Sequence, residues 1–371
     1  MQVPLLDLKA QYQALREPIL AAVDETFASG AWIMGPKVKT FEEEVASYVH
    51  AKAAIGCASG TDALLLSVRA LDPKPGDEVI APAFTFFATG GATVNAGATP
   101  VFVDSQEDSF NVDPAAIERA ITPKTRAIIP VHLFGQSADM DPIMAIAKKH
   151  NLAVIEDAAQ SIGCTYGDRP VGSIGDVGCF SFYPSKNLGG NGDGGIITTN
   201  SAEWEDKLRV LRVHGAKKKY LNEVIGFNSR LDAVHAAILS VKLKHLDDWC
   251  AARQANAARY DEAFKGVDGI ATPPRAIPGN HVFNQYTIRV KRGSRDALQA
   301  HLKENGIGCE IYYPYPLHLV PAFGNLGYEK GSLPVCEQQA VEALSIPIFP
   351  EMNSDQQGYV VETIKNWVKT Q

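Results

Sequence analysis

No two of the six cysteines stand in a CxxC pair, and the nine histidines form no HExxH or comparable ligand spacing. A disulfide framework and a zinc site are therefore not expected. No apolar stretch approaches the length of a membrane span, and the opening Met1 to Lys9 lacks the basic-then-apolar order of a secretory leader. Positive charge is also scarce. Lys and Arg number 35 against 42 Asp and Glu, a net charge of -7, whereas a nucleic-acid binder normally presents a basic face. The short run Lys217-Lys218-Lys219 reads as a solvated loop, or as a local attractor for a diphosphate. These absences make a reduced, cytoplasmic, soluble protein without membrane or nucleic-acid partners the expectation.

What is present is apolar content and regular alternation. With 371 residues and 46% hydrophobic composition, the chain can bury a sizeable core and divide in two. Up to about residue 200, helical and strand patterns alternate between Gly and Pro punctuation, the signature of a mostly parallel sheet in an α/β fold. The expected strands are 78–81, 99–103, 127–131, 153–155, 179–182 and 195–199. The segment from Leu231 to Tyr260 reads as one long helix leading away from the large domain. Beyond the Gly/Pro-rich stretch 273–279, a strand is expected at 285–290 and a helix at 295–305. The expected division is a large domain over 1–250, its N-terminal segment packing on the smaller one, and a small C-terminal domain over 251–371.

Three motifs carry chemistry. Lys186 follows the apolar run Cys179-Phe180-Ser181-Phe182 and precedes a glycine-rich loop. An amine at such a strand end becomes a nucleophile toward an aldehyde when burial lowers its pKa, although most lysines after a strand are solvated. Asp157 closes the run Ala153-Val154-Ile155-Glu156 at the carboxyl edge, where open α/β sheets bind ligands. A carboxylate there can keep the pyridine nitrogen of pyridoxal phosphate protonated, or it can simply cap the next helix. Ser59-Gly60-Thr61-Asp62 leads into an apolar helix and offers free N–H groups to a phosphate, or an ordinary N-cap. The run from Gly190 to Gly195 satisfies GxGxxG. It is followed by the β-branched Ile196-Ile197-Thr198-Thr199 rather than a helix, so a dehydrogenase fingerprint is rejected.

These segments, with Gly76-Asp77-Glu78, Val131-His132-Leu133-Phe134-Gly135, Tyr183-Pro184-Ser185-Lys186 and Asn228-Ser229-Arg230-Leu231-Asp232, resemble in order and spacing the DegT/StrS family of nucleotide-sugar aminotransferases. The resemblance spans essentially the whole chain. It implies the fold type I of pyridoxal-phosphate enzymes: a three-layer large domain with a mostly parallel mixed sheet, and a smaller α+β C-terminal domain. It implies that Lys186 binds the cofactor aldehyde and carries the proton in catalysis. Asp157 would meet the ring nitrogen, Gln160 the ring hydroxyl and Phe86 the ring face. Gly60, Thr61 and Ser181 would hold the phosphate, joined by Asn228 from the second subunit of a homodimer with shared active sites. Tyr183, Tyr312 and His318 would approach the nucleotide sugar. The implied activity is transfer of an amino group from L-glutamate to a UDP- or dTDP-linked keto hexose, with the 3-keto position favoured over the 4-keto by the run Tyr313-Pro314-Tyr315-Pro316-Leu317-His318. Such products feed surface polysaccharide, including lipopolysaccharide, or glycosylated metabolites. A cofactor-binding regulatory protein of the same fold is the alternative reading, and Lys186 argues against a dehydratase.

Overall fold

The computed structural model describes residues 1–291 and 294–370. Its central sheet has seven strands in the spatial order Ala53–Cys57, Gly195–Thr199, Val177–Ser181, Ala153–Asp157, Thr125–Ile128, Glu78–Pro82 and Thr99–Val103. Only Gly195–Thr199 runs against the others. Residues alternate between the two faces, as the period of a strand dictates. Val79, Ala81, Ala127 and Ile155 join one apolar cluster, while Ile80, Ile128 and Val154 join another. Helices cover both faces, giving the expected three-layer α/β arrangement. Among the described residues no helix is long and apolar enough to cross a membrane, and no three His, Cys, Asp or Glu side chains gather as metal ligands. All six cysteines are free and buried.

Most strands fall where the apolar runs lie, with three differences. Ala53–Cys57 is absent from the expected strands, because Ala-Ala-Ile-Gly-Cys is a run of small residues with weak strand propensity. All five of its residues are nevertheless buried. The expected strand 127–131 stops at Ile128, and Val131 returns only as an isolated bridge to Asp157. Pro130 lies between them and has no N–H for the ladder. The single long helix expected from Leu231 is two, Ala233–Leu243 and Leu246–Phe264. Neither Pro nor Gly marks the break at Lys244-His245. The reason is tertiary: Leu246 and Cys250 pack with the cluster around Phe180 and Leu239, whereas Ala257, Tyr260 and Phe264 pack in a second core.

That second core is built around the antiparallel strands Ile270–Ala271, Tyr286–Val290 and Ala343–Ile346, with the helices Arg295–Glu304 and Ser354–Lys369. Val3 is buried in the same cluster, and its N–H donates to the carbonyl of Gly306 at 3.0 Å. The helix Leu246–Phe264 thus runs through position 250 and contributes to both cores.

One buried ion pair secures the strand that leads to the helix Gly60–Ala70. Arg212 Nη1 lies 2.5 Å from Glu42 Oε1, which also accepts the Gly56 N–H at 2.8 Å; the same guanidinium donates to the Gly56 carbonyl. Glu42→Ala would leave Arg212 charged, buried and without its carboxylate. Such losses cost about 3 kcal/mol or more. We expect a clearly lowered thermal unfolding midpoint, measured by calorimetry at neutral pH.

Candidate active site

A cavity of about 460 Å³ opens where Ala53–Cys57, Glu78–Pro82, Ala153–Asp157 and Val177–Ser181 end and Gly195–Thr199 begins. This is the carboxyl edge of the sheet, and reversal of one strand brings the return of the glycine-rich loop to the same edge. The wall includes Gly60, Thr61, Phe86, Asp157, Gln160, Ser181, Tyr183 and Lys186. Eight of the eleven residues singled out from the sequence therefore meet in one place.

Lys186 is carried by a turn whose backbone is fixed on both sides. Its own N–H donates to the Tyr183 carbonyl at 2.9 Å, Asn284 Nδ2 donates to the Ser185 carbonyl at 3.2 Å, and Asn187 Nδ2 donates to the Val282 carbonyl at 3.0 Å. The residue keeps some surface toward the cavity. Yet burial of the amine lowers its pKa to about 8, opposed by the charge of Asp157. A sizeable share of the amine is thus unprotonated, and nucleophilic, close to neutral pH.

Asp157 is buried, with Thr89 Oγ1 donating to Oδ2 at 2.8 Å and the Ala159 N–H donating to Oδ1 at 3.2 Å. Burial raises its pKa; those hydrogen bonds, then the charge of Lys186, act the other way. Since the Thr89 proton is used on Asp157, the 3.1 Å contact to Thr85 Oγ1 makes Thr85 the donor to Thr89. Replacing Thr89 by the isosteric Val removes one donor from a buried carboxylate. Hydrogen bonds to charged groups are worth about 1.5–3 kcal/mol, so Thr89→Val should lower turnover roughly tenfold and raise the Asp157 pKa further, as read from the pH profile of kcat.

At the opposite wall, the helix Gly60–Ala70 begins with Ser59 as its cap. Ser59 Oγ accepts the Asp62 N–H at 3.0 Å, and the Ser59 carbonyl accepts the Ala63 N–H at 3.0 Å. The N–H groups of Gly60 and Thr61 have no acceptor among the described residues. A side chain at position 60 would come within 2.6 Å of Ser181 Cβ. Glycine here lets the Ser181 hydroxyl stand beside the two free N–H groups, a seat for an anion.

Gln160 is held in place, its Oε1 accepting the Phe134 N–H at 2.7 Å and its Nε2 donating to the Tyr313 hydroxyl at 3.2 Å. Phe86 is 56% exposed at the mouth, its ring centroid 6.0 Å from that of Tyr313. Beneath this floor, His132 Nδ1 accepts the Ala138 N–H at 3.0 Å, which leaves Nε2 to donate to Glu156 Oε2 at 2.9 Å. Glu156 also accepts the N–H groups of Gly172, Ile174 and Gly175, so it braces the strand that presents Asp157.

Three of the residues singled out do not reach the cavity wall. Tyr312 is half-buried against the cluster around Phe84 and Leu317, and its neighbour Tyr313 lines the cavity instead. His318 is fully buried, with Nε2 3.1 Å from Glu337 Oε1 and its ring edge-on to Tyr328. That histidine is neither a surface residue nor part of the wall, because its chain segment turns inward through Leu317. Asn228 is exposed, bridges to Val213 and is not part of the cavity wall of its own chain. Thr89, Tyr313, Ser185 and Asp193 belong to the site and are not among the residues singled out from the sequence. Only Thr89 has a local signal, a second hydroxyl one helical turn beyond Thr85.

The model of the DegT/DnrJ/EryC1/StrS aminotransferase family matches residues 13–365. The chain belongs to this family. A family relative from Geobacillus stearothermophilus, described as a pleiotropic regulatory protein, is 52% identical over 371 residues, 100% of this chain and 99% of that protein. A UDP-N-acetyl-3-dehydro-alpha-D-glucosamine 3-aminotransferase from Acidithiobacillus ferrooxidans is 45% identical over 98% of this chain and 97% of its own length. Among solved structures, that of S. venezuelae DesV in complex with a ketimine intermediate is 44% identical, with a TM-score of 0.96 over 99% of both chains.

Proposed function

We propose that this member of the family is a pyridoxal-phosphate-dependent aminotransferase that moves the amino group of L-glutamate to a UDP- or dTDP-linked keto hexose, the 3-keto position being favoured. The observation that carries this reading is a lysine amine of lowered pKa in one cavity with a buried carboxylate and two unpaired N–H groups at a helix N-terminus. The residues fit the cofactor. The N–H groups of Gly60 and Thr61 and the Ser181 hydroxyl suit a phosphate, Asp157 a protonated ring nitrogen, Gln160 the ring hydroxyl and Phe86 the ring face. When bound, pyridoxal phosphate supplies an electron-withdrawing ring that stabilises negative charge at the amino-acid carbon. Lys186 Nζ would hold the cofactor aldehyde and, as the free amine, would take the proton from the donor carbon and deliver it to the cofactor carbon. Asp157 would present its carboxylate to the ring nitrogen in both halves of the reaction.

Among the described residues, the cavity wall of one chain contains a single cation, Lys186, whereas a sugar diphosphate and a dicarboxylic donor are both anionic. The segment 216–230 carries three lysines and Asn228, together with Tyr220 at 89% exposure and Ile225 at 84%. Large apolar side chains so exposed favour a covering surface. We therefore read the active form as a homodimer in which Asn228 completes the partner's phosphate seat, in the cytoplasm. The 3-keto preference rests on the run that ends in His318 and on the 3-aminotransferase from A. ferrooxidans. Tyr183, 56% exposed at the cavity, is the sugar contact this geometry favours.

The description of the G. stearothermophilus relative favours a second reading, a regulator that binds the cofactor without turnover. The visible spectrum of the purified protein, before and after adding L-glutamate, separates the two. A yellow band that bleaches with glutamate and is restored by a UDP- or dTDP-3-keto sugar is the expected result. A band indifferent to every amino donor would favour the regulator, and no band after supplying the cofactor would overturn both readings.

A further inference from the structure

The loop 182–194 is closed at its neck, where the Phe182 N–H donates to the Gly194 carbonyl at 2.8 Å and the Gly190 N–H donates to the Phe182 carbonyl at 2.7 Å. Its outgoing leg carries Lys186 and is tied by Asn284 and Asn187, and by the buried Lys242 ammonium donating to the Gly189 carbonyl. Its returning leg carries Asp193 and Gly194, which line the same cavity as Asp157. Among the described residues, the one side chain that bonds residues 191–193 is His235, whose Nε2 accepts the Asn191 N–H at 2.9 Å. The ring lies close under the loop: a Cβ at Gly190 would meet His235 Nε2 at 3.0 Å, and one at Gly192 would meet Cε1 at 3.0 Å.

A backbone N–H can only donate, so Nε2 must be the bare nitrogen and any ring proton must sit on Nδ1. We propose that neutral His235 is a positioning residue that sets the returning leg of the lysine-bearing loop, and that protonation of its ring releases this leg from the active-site wall. The two-proton ring would place an N–H against the Asn191 N–H, replacing an attraction with a repulsion. The charged groups facing the ring are Asp232, Asp193 and Lys242. Burial outweighs the two carboxylates and lowers the pKa of His235 below its usual 6.5, so the bond is intact at neutral pH and is lost only in acid. The glycines at 190 and 192 have a use on this account: they admit the ring, which the failed dinucleotide fingerprint left unexplained.

The meaning of the loop for catalysis rests on the aminotransferase reading; its anchoring does not, and the test keeps the two apart. Amide hydrogen exchange of the segment 187–195 would be followed by mass spectrometry in the full-length, cofactor-loaded protein at pH 7.5 and 5.0, corrected for the chemical exchange rate. One lost backbone hydrogen bond corresponds to roughly five- to tenfold in local protection. The wild type should be less protected at pH 5.0 than at pH 7.5, by up to about that much as the ring takes up its second proton. His235→Gln keeps an acceptor that does not titrate. It should hold wild-type protection and wild-type kcat at pH 7.5 and lose no protection at pH 5.0. His235→Leu should be poorly protected at both. Persistence of the acid loss in His235→Gln, or full protection in a folded His235→Leu, would overturn the proposal. If His235→Leu fails to fold, the Gln variant alone decides, since a purely structural histidine would give it no altered pH dependence.

Discussion

Lys186→Ala is expected to remove turnover with L-glutamate and keto sugar by about four orders of magnitude or more, the upper range for a positioned acid/base group alone. The variant should still fold, because the turn around Lys186 is held by its backbone and by Asn187 and Asn284, and not by the lysine side chain. Folding can be checked by a linkage argument. The amine titrates at about 8 in the folded chain against an ordinary 10.5, so the unfolded chain binds more protons between these values. The burden of this group on stability is therefore fully present below about pH 8 and is relieved as pH rises toward 10.5. Calorimetry of the cofactor-free proteins at pH 7 should find Lys186→Ala as stable as the wild type or more so, with the difference narrowing as pH rises. The rate at which the wild-type amine captures an added aldehyde should climb with pH and level off above about 8. Turnover surviving in the alanine variant would remove Lys186 from the proton path.

How the sequence reveals such a site, and where it stops, can be followed residue by residue. Lys186, Asp157 and Gly60 were legible because each stands at the end of an apolar strand or the start of an apolar helix, and the alternation of strands and helices brings those ends to one edge. The strand Ala53–Cys57 was not legible: its strand character comes from burial between Gly195–Thr199 and the helices, which no local pattern encodes. Nor was the break at His245, where packing into two cores decides and no breaker is present. Tyr312 and Tyr313 are chemically identical neighbours, and only the path of the chain turns Tyr313 toward Gln160. His318 looked available because it follows prolines. In fact Glu337, nineteen residues further on, takes its Nε2. Hydrogen bonds across such distances, like Thr89 to Asp157, are set by the fold.

Asp157→Asn should separate two properties of the site that the wild type couples. Asparagine has nearly the same shape, and its one carbonyl oxygen can keep the shorter bond from Thr89 Oγ1 while giving up the longer one from the Ala159 N–H, so the strand end and the cavity should persist. What is lost is a negative charge beside the position of the ring nitrogen, in surroundings where burial makes that charge count. Removing a preorganised electrostatic partner of this kind commonly costs about 10²- to 10³-fold in kcat, or 2.7–4 kcal/mol, and we expect a fall of that size with both substrates. The same charge is what raises the pKa of Lys186 against the effect of burial. Without it the amine should titrate lower than about 8, and a larger share would be unprotonated at pH 7. The variant should therefore capture the cofactor aldehyde at least as readily as the wild type near neutral pH while turning over hundreds of times more slowly. Stopped-flow absorbance measures the first property, and single-turnover kinetics with L-glutamate measures the second. Parallel losses in both would mean that the substitution had disturbed the cavity as a whole, and an unchanged kcat would take Asp157 out of its place opposite the ring nitrogen.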